Sequence, residues 1–443
     1  MYRRGDRVYR RLAPEAASTW AAFTATPLAT QLMDEGVLVR TSAQSADTLE
    51  HAPVHCVSYA YEWPFSLLQR AALLHLTLLE RLVPAGFTLQ DATPSNVMFD
   101  GVRPVFIDVT SIVRHTYGSP WHALRQFLET MANPLFLTAH RGVPYQQWLR
   151  GAGDAGLPSW QIARLFGWRD YAKPGVLAYV KLNAALERMA TKRPTAAEQQ
   201  VSGRTMGTDA LLRMIAGLKT TIAKLRPEPG SQVWAEYTGA ESYTAEENSR
   251  KREAVSAVFA ATVRHTDVVW DVGCNRGDYS LVAAGRAKFV IALDEDPGVI
   301  DQLCRRCDAS NVTNVLPLVI DFADSSPAQG WRGDERPRLL DRSRPDVVVA
   351  LGVLHHLVVT KNLPMSQVLT ELGRLAPRAI VEYIAPADPM VVQMQRHMPP
   401  NRNTVPSLRE FETELSSCFA VDEATDLSPT RRLYTLTSRE HAA

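Results

Sequence analysis

The stretch Val268-Val269-Trp270-Asp271-Val272-Gly273-Cys274-Asn275-Arg276-Gly277 decides the fold of this chain. A short apolar run ends in an acidic residue, two glycines follow at G-x-x-x-G spacing, and a helical pattern begins at Asp278. Together these read as strand, tight loop and helix. Glycine in such a loop lets backbone N–H groups approach a ligand closely, because no Cβ stands in the way.

Working outward, further strand-like runs follow at intervals filled by helical patterns. Phe289 to Asp294 is one, with Glu295 next in the chain, and Val315 to Asp321 is another, followed by Phe322. Asp346 to Leu351 leads into Gly352-Val-Leu-His355-His356, and Ala379 to Tyr383 contains Glu382. Strands alternating with helices at this spacing predict an α/β, doubly wound parallel sheet of Rossmann-like type. In such a sheet ligands bind beyond the carboxyl ends of the strands, where these polar residues fall.

The loop separates two ligand classes. A dinucleotide site uses G-x-G-x-x-G so that a pyrophosphate sits on the helix N-terminus. Here the spacing differs, and the Asp271 carboxylate would repel a pyrophosphate while suiting a ligand with an ammonium and a sulfonium. The cofactor expected is S-adenosylmethionine. Asp271, Gly273, Cys274, Asn275 and Gly277 form its candidate loop. Asp294 and Glu295, about 20 residues beyond the loop, are placed for the ribose hydroxyls. Asp321 and Phe322 are placed for the adenine amine and ring, and Leu351 lies at the fourth strand end. Tyr243, with Trp234 and Tyr237, precedes the first strand, where aromatic faces would favour a sulfonium. Lys251 could meet the cofactor carboxylate or be a solvated helix residue.

The chain of 443 residues has 48 basic and 47 acidic residues, a net charge of +1. It contains no Lys/Arg run that would suggest a nucleic-acid or anionic-membrane partner. The N-terminus leads into no apolar signal core, and the apolar stretch Val347 to Val359 is too short to span a bilayer. A cytoplasmic protein with a small-molecule substrate is expected, its oligomeric state left open. Five cysteines make no disulfide framework, and Cys304-x-x-Cys307 reads as helix, so no metal site is expected.

Three regions are expected: residues 1–120, an α+β region with a helix from about Pro64 to Leu82; residues 121–230, a helical segment and linker; and residues 231–443, the cofactor-binding domain.

The motifs resemble those of class I S-adenosylmethionine-dependent methyltransferases, and more closely a two-part bacterial group related to nodulation-type methyltransferases. Tyr61-Glu-Trp-Pro-Phe, Leu89-Gln-Asp-Ala-Thr-Pro-Ser-Asn-Val and Arg103-Pro-Val-Phe-Ile-Asp carry the resemblance in the N-terminal half. Gly330-Trp331, Glu335-Arg336, Leu354-His-His-Leu, Val381-Glu-Tyr and Arg432-Leu-Tyr carry it in the C-terminal half. Gln90 departs from the group, in which Lys is frequent at that position. The resemblance implies a methyltransferase.

Asp91, Asn96 and Asp108 resemble the catalytic loop and metal-binding Asp of protein kinases and aminoglycoside phosphotransferases. The rest of a kinase is missing. No Gly-rich phosphate loop precedes them, the first lysine of the chain is Lys173, and Leu89 stands where the motif has His. A degenerate, pseudokinase-like region is expected.

Methyl transfer from a sulfonium is an in-line displacement, so positioning in a dry site matters most, and a base is needed only where the acceptor carries a proton. His355 and His356 are the candidate bases, since imidazole titrates near neutral pH, and Glu382 could orient a histidine or bind a polar acceptor. The expected activity is O- or N-methylation of a specialised metabolite. The rivals are a cyclisation or elimination on the same cofactor, and a binding or regulatory protein built on degenerate domains.

Overall fold

The computed structural model describes residues 1–5, 7–192, 205–227, 245–396, 398, 399 and 401–441. The chain forms two compact units, Met1–Ser231 and Gln232–Ala443.

The first unit opens with an antiparallel sheet in the order β1-β2-β4-β3, made of β1 (Tyr2–Arg4), β2 (Arg7–Arg11), β3 (Thr41–Ala43) and β4 (Thr48–His51). The helix expected near Pro64 to Leu82 runs Phe65–Leu82, and Pro64 immediately precedes its first turn. Its apolar residues recur at helical spacing, and Leu67, Leu68, Ala71, Ala72, Leu76, Leu78, Leu79 and Leu82 are completely buried. The helix Thr208–Lys224 packs along it: Gln69 Nε2 donates to the carbonyls of Ile222 and Leu225 at 2.7 and 3.0 Å, and Lys219 pairs with Glu80 at 2.6 Å. Two small antiparallel pairs complete the unit's strands: β5 (Phe87–Leu89) with β8 (Ile112–Arg114), and β6 (Val97–Asp100) with β7 (Arg103–Phe106).

The second unit is built on a seven-stranded sheet in the order β11-β10-β9-β12-β13-β15-β14. Its strands are β9 (Val268–Val272), β10 (Phe289–Asp294), β11 (Val315–Val319), β12 (Val347–Ala350), β13 (Arg378–Ile384), β14 (Phe419–Ser428) and β15 (Arg431–Ser438). The first five are parallel, and β15 runs antiparallel to β13 and β14.

The physical reason is visible in β12, whose Val347-Val348-Val349-Ala350 is completely buried. A strand covered by helices on both faces reads as a continuous apolar run rather than an alternating one. Burying each such side chain is worth roughly 1.5–3 kcal/mol. Helix starts are also encoded locally. Asp296 caps the helix Pro297–Ala309 by accepting from the N–H of Gly298 at 2.6 Å, with Pro297 at the position where no N–H is needed. Cys304 and Cys307 lie in that helix with no exposed surface, as a helical reading of the pair requires.

The order of the parallel strands reverses across the sheet between β9 and β12. From β9 the strands progress through β10 to β11 on one side, and from β12 to β13 on the other. A crevice at the carboxyl ends of β9 and β12 is the consequence, and it is where an open α/β sheet binds its ligand. The five parallel strands form the doubly wound α/β sheet expected from the sequence, and the β14–β15 hairpin extends it with antiparallel strands. The hairpin lies outside the pattern read from sequence: β14 is largely exposed, and its Asp422-Glu423-Ala424-Thr425-Asp426 centre has no apolar alternation.

Candidate functional site at the strand ends

The loop after β9 hangs on the end of β10. The N–H groups of Gly273 and Cys274 both donate to the carbonyl of Leu293, at 2.9 and 3.0 Å. The turn needs left-handed backbone at Gly273 (φ 69°), Asn275 (φ 50°) and Gly277 (φ 75°). A Cβ on Gly273 would meet Val353 at 2.6 Å, and one on Gly277 would run into Leu303 of the helix Pro297–Ala309. Both glycines are therefore fixed by conformation and by contact.

Asp294 closes the other wall. Its Oδ2 accepts from the N–H of Asn275 at 2.9 Å and its Oδ1 from the N–H of Asp296 at 3.0 Å. Burial pushes the carboxyl up to about 6 despite those two bonds, with Asp296 and Glu295 adding repulsion. Asp271 takes a different position from the one its sequence placement suggests. It is buried beneath the loop, where Ser280 Oγ donates to it at 2.5 Å, and burial also raises it to about 6.

Two cavities adjoin at this loop. Gly273, Asn275, Gly352 and His356 line both. The first runs past Asp294, Glu295, Asp321, Phe322, Leu357 and Lys361. The second lies between Lys251, Cys274, Tyr279, Leu351, His355 and Arg431. Expectations from three separate strand ends thus meet in one crevice. Asp321 Oδ1 accepts from the N–H of Ala323 at 2.9 Å, capping the turn that carries Phe322. Burial raises the Cys274 thiol well above its ordinary value, so it stays a neutral apolar wall. Tyr243, Trp234 and Tyr237 lie outside the described residues.

Beneath the second cavity runs a buried chain of charges. Lys251 Nζ pairs with Glu382 Oε2 at 2.7 Å, Arg431 lies 3.9 Å from Glu382 Oε1, and Arg431 grips Asp388 through Nε and a terminal nitrogen at 2.8 and 3.1 Å. Glu382 is completely buried and the other three nearly so. Lys251 is thus neither solvated nor free of partners: its ammonium is tied to Glu382 and sits 5.4 Å from the ring centre of Tyr279. Glu382 meets the two cations. Arg431 and Asp388 were not read from sequence: Arg431 opens β15 of the hairpin, and Asp388 caps the helix Pro389–Gln395.

The rings of His355 and His356 lie 4.2 Å apart between centres, tilted by 45° to one another. Burial lowers His356 to about 4, and burial with the nearby His356, Arg431 and Lys251 charges lowers His355 well below its ordinary value. Both are neutral imidazoles at pH 7, unlike freely titrating histidines. The Nδ1 of His355 is buried with no hydrogen-bond partner among the described residues.

No protein-family model matches the chain. The chain is 34% identical over 402 residues to nodulation protein NoeA of Rhizobium meliloti (strain 1021), a match covering 88% of this chain and 83% of that protein. The chain belongs to the NoeA family. Among solved structures, N-methyltransferase NodS from Bradyrhizobium japonicum WM9 is similar at 15% identity and a TM-score of 0.33, covering 43% of this chain and 97% of NodS. Magnesium protoporphyrin IX methyltransferase from Synechocystis PCC 6803, solved with bound S-adenosylmethionine, is similar at 16% identity and a TM-score of 0.31, covering 44% of this chain and 79% of that one.

In the first unit of this NoeA-family chain the kinase-like residues are engaged with one another. Asp91 Oδ1 accepts from Asn96 Nδ2 at 2.6 Å and from Ser111 Oγ at 2.5 Å. Asp108 is ion-paired with Arg10 of β2 and accepts from Thr110 Oγ at 2.6 Å. Where a kinase would present a carboxylate to a cation, this chain supplies its own guanidinium. Among the described residues no group of three or more His, Cys, Asp or Glu side chains is arranged to hold a metal. No helix of the described residues is long and apolar enough to cross a membrane.

Proposed function

We propose that the chain is an S-adenosylmethionine-dependent methyltransferase that modifies a small-molecule metabolite at oxygen or nitrogen. One observation carries this reading: Asp294, Glu295 and Asp321, from the ends of two strands, line one cavity with the glycine loop, and that cavity adjoins a second one flanked by His355 and His356. The donor set fits the cofactor. Carboxylates suit ribose hydroxyls and an adenine amine, and an overall acidic wall suits a ligand with a sulfonium and an ammonium.

The cofactor supplies a methyl group on an already activated leaving group, so the protein's contribution is orientation and exclusion of water. The second cavity receives the acceptor. His355 and His356 present neutral imidazole edges to it, and Glu382 holds Lys251 and Arg431 in place below. As a hydroxyl acceptor gains a methyl group its proton becomes strongly acidic. An imidazole lowered to about 4, as at His356, is then basic enough to take it.

The relative is a nodulation protein by name, which favours a specialised, symbiosis-related acceptor. The first unit then serves as a non-catalytic, pseudokinase-like partner region, in keeping with the Arg10–Asp108 pair. Product analysis tests the reading: a methylated product released together with S-adenosylhomocysteine supports transfer. Turnover that leaves the methyl group on the cofactor skeleton sinks it in favour of cyclisation or elimination.

A further inference from the structure

Lys361 follows the turn His356–Thr360 after β12, and no sequence motif marks it. It lines the first cavity, and its Nζ reaches two carboxylates from different strands: Asp321 Oδ2 at 2.7 Å, beyond β11, and Glu295, beyond β10. Asp321 Oδ1 is already committed to the N–H of Ala323 at 2.9 Å. What the cavity offers at this end is therefore an accepting oxygen, Oδ2 with a remaining lone pair, beside an ammonium that Glu295 also holds.

An acceptor next to a donor complements adenine, whose 6-amino donor is flanked by the ring acceptors N1 and N7. On the N7 edge a 6-oxo purine presents two acceptors instead. We propose that the Asp321–Lys361 pair reads that edge of the cofactor's base. Asp321 accepts from the 6-amino group, Lys361 donates to N7, and Glu295 acts as the positioning residue that keeps the ammonium over the cavity. Lys361 is then a specificity-determining residue for adenine. This inference rests on the S-adenosylmethionine reading above.

Calorimetric binding of three probes to the full-length chain tests it: S-adenosylhomocysteine, its 7-deaza analogue, which lacks the N7 acceptor, and S-inosylhomocysteine, which carries a 6-oxo group. Losing one hydrogen bond to a charged donor is expected to weaken binding of the 7-deaza analogue to the wild type about tenfold. Lys361→Met should bind S-adenosylhomocysteine and the 7-deaza analogue within about twofold of each other, because the group that tells them apart is gone. Glu295→Gln should narrow the wild-type difference without abolishing it.

S-inosylhomocysteine should bind the wild type more weakly than either adenine probe, since its 6-oxo group meets the Asp321 carboxylate. Equal affinity of the wild type for S-adenosylhomocysteine and the 7-deaza analogue, or undiminished discrimination in Lys361→Met, overturns the assignment while leaving the cofactor reading intact. Absence of S-adenosylhomocysteine binding to the wild type overturns both.

Discussion

Asn275 and Asp294 join the glycine loop to the neighbouring strand: the backbone N–H of Asn275, held at φ 50°, donates to Asp294 Oδ2 at 2.9 Å. The bond joins the G-x-x-x-G turn to the acidic residue about 20 positions later in one rigid wall of the cavity. A ligand that bonds Asp294 therefore also senses the loop, and mutations in either should be read together.

Gly277→Ala tests the loop as scaffold. The substitution forces a left-handed residue and a Cβ into Leu303. An overpacked position of this kind costs roughly 1–3 kcal/mol, seen as a lower denaturant midpoint. Unchanged stability would mean that the loop relaxes freely and is not the rigid wall described.

The charge chain below the second cavity should respond asymmetrically. Glu382→Gln removes the carboxylate that Lys251 pairs with, while Arg431 keeps Asp388, and breaking a buried pair from one side costs on the order of 3–5 kcal/mol. The double variant Lys251→Met/Glu382→Leu should recover part of that loss, because neither ion is then left unpaired. Strict additivity of the single-variant losses in thermal melts would contradict the pairing.

Acid should act on binding before it acts on chemistry. Asp294 rises from 3.8 to about 6 in the folded protein, as does Asp271, so each contributes stability that is full below 3.8 and lost as pH rises through about 6. The cofactor needs the ionised form of Asp294, so S-adenosylhomocysteine affinity should climb between about pH 5 and about pH 7.5. The KM for the cofactor should follow. In contrast, kcat should show no limb near the ordinary histidine value, because burial moves His356 to about 4. A kcat limb near 6.5, lost in His356→Gln, would falsify the neutral-imidazole account.

Arg10→Ala addresses the first unit. Arg10 and Asp108 are about four-fifths buried, and removing the guanidinium leaves a partly buried carboxylate with Thr110 alone. A loss of about 1–2 kcal/mol in stability is expected, and ATP turnover should be absent from both proteins. Turnover by the wild type that vanishes in Asp108→Ala would overturn the pseudokinase reading.

The C-terminal sheet was legible because its strands are continuous apolar runs ending in Asp294, Asp321 and the His355-His356 pair, and buried parallel strands leave just that trace. Helix Pro297–Ala309 was legible only as part of the alternating pattern and the helical context of Cys304 and Cys307. The hairpin β14–β15 was not, since an exposed antiparallel edge strand carries little hydrophobic pattern.

Arg431, Asp388 and Lys361 were invisible for a related reason. Each acts through partners distant in sequence, and an ion pair leaves no periodic signal. The burial that depresses both histidines was equally unreadable, because desolvation depends on what packs above a residue and not on its neighbours in the chain.

Calorimetric titration of the wild type and Asp294→Ala with S-adenosylhomocysteine tests the central claim most directly. The wild type should bind at one site per chain, and the variant should bind roughly 30- to 150-fold more weakly, the loss of about 2–3 kcal/mol expected for a charge-assisted hydrogen-bond pair. No binding by the wild type, or the same affinity in both, would contradict the account.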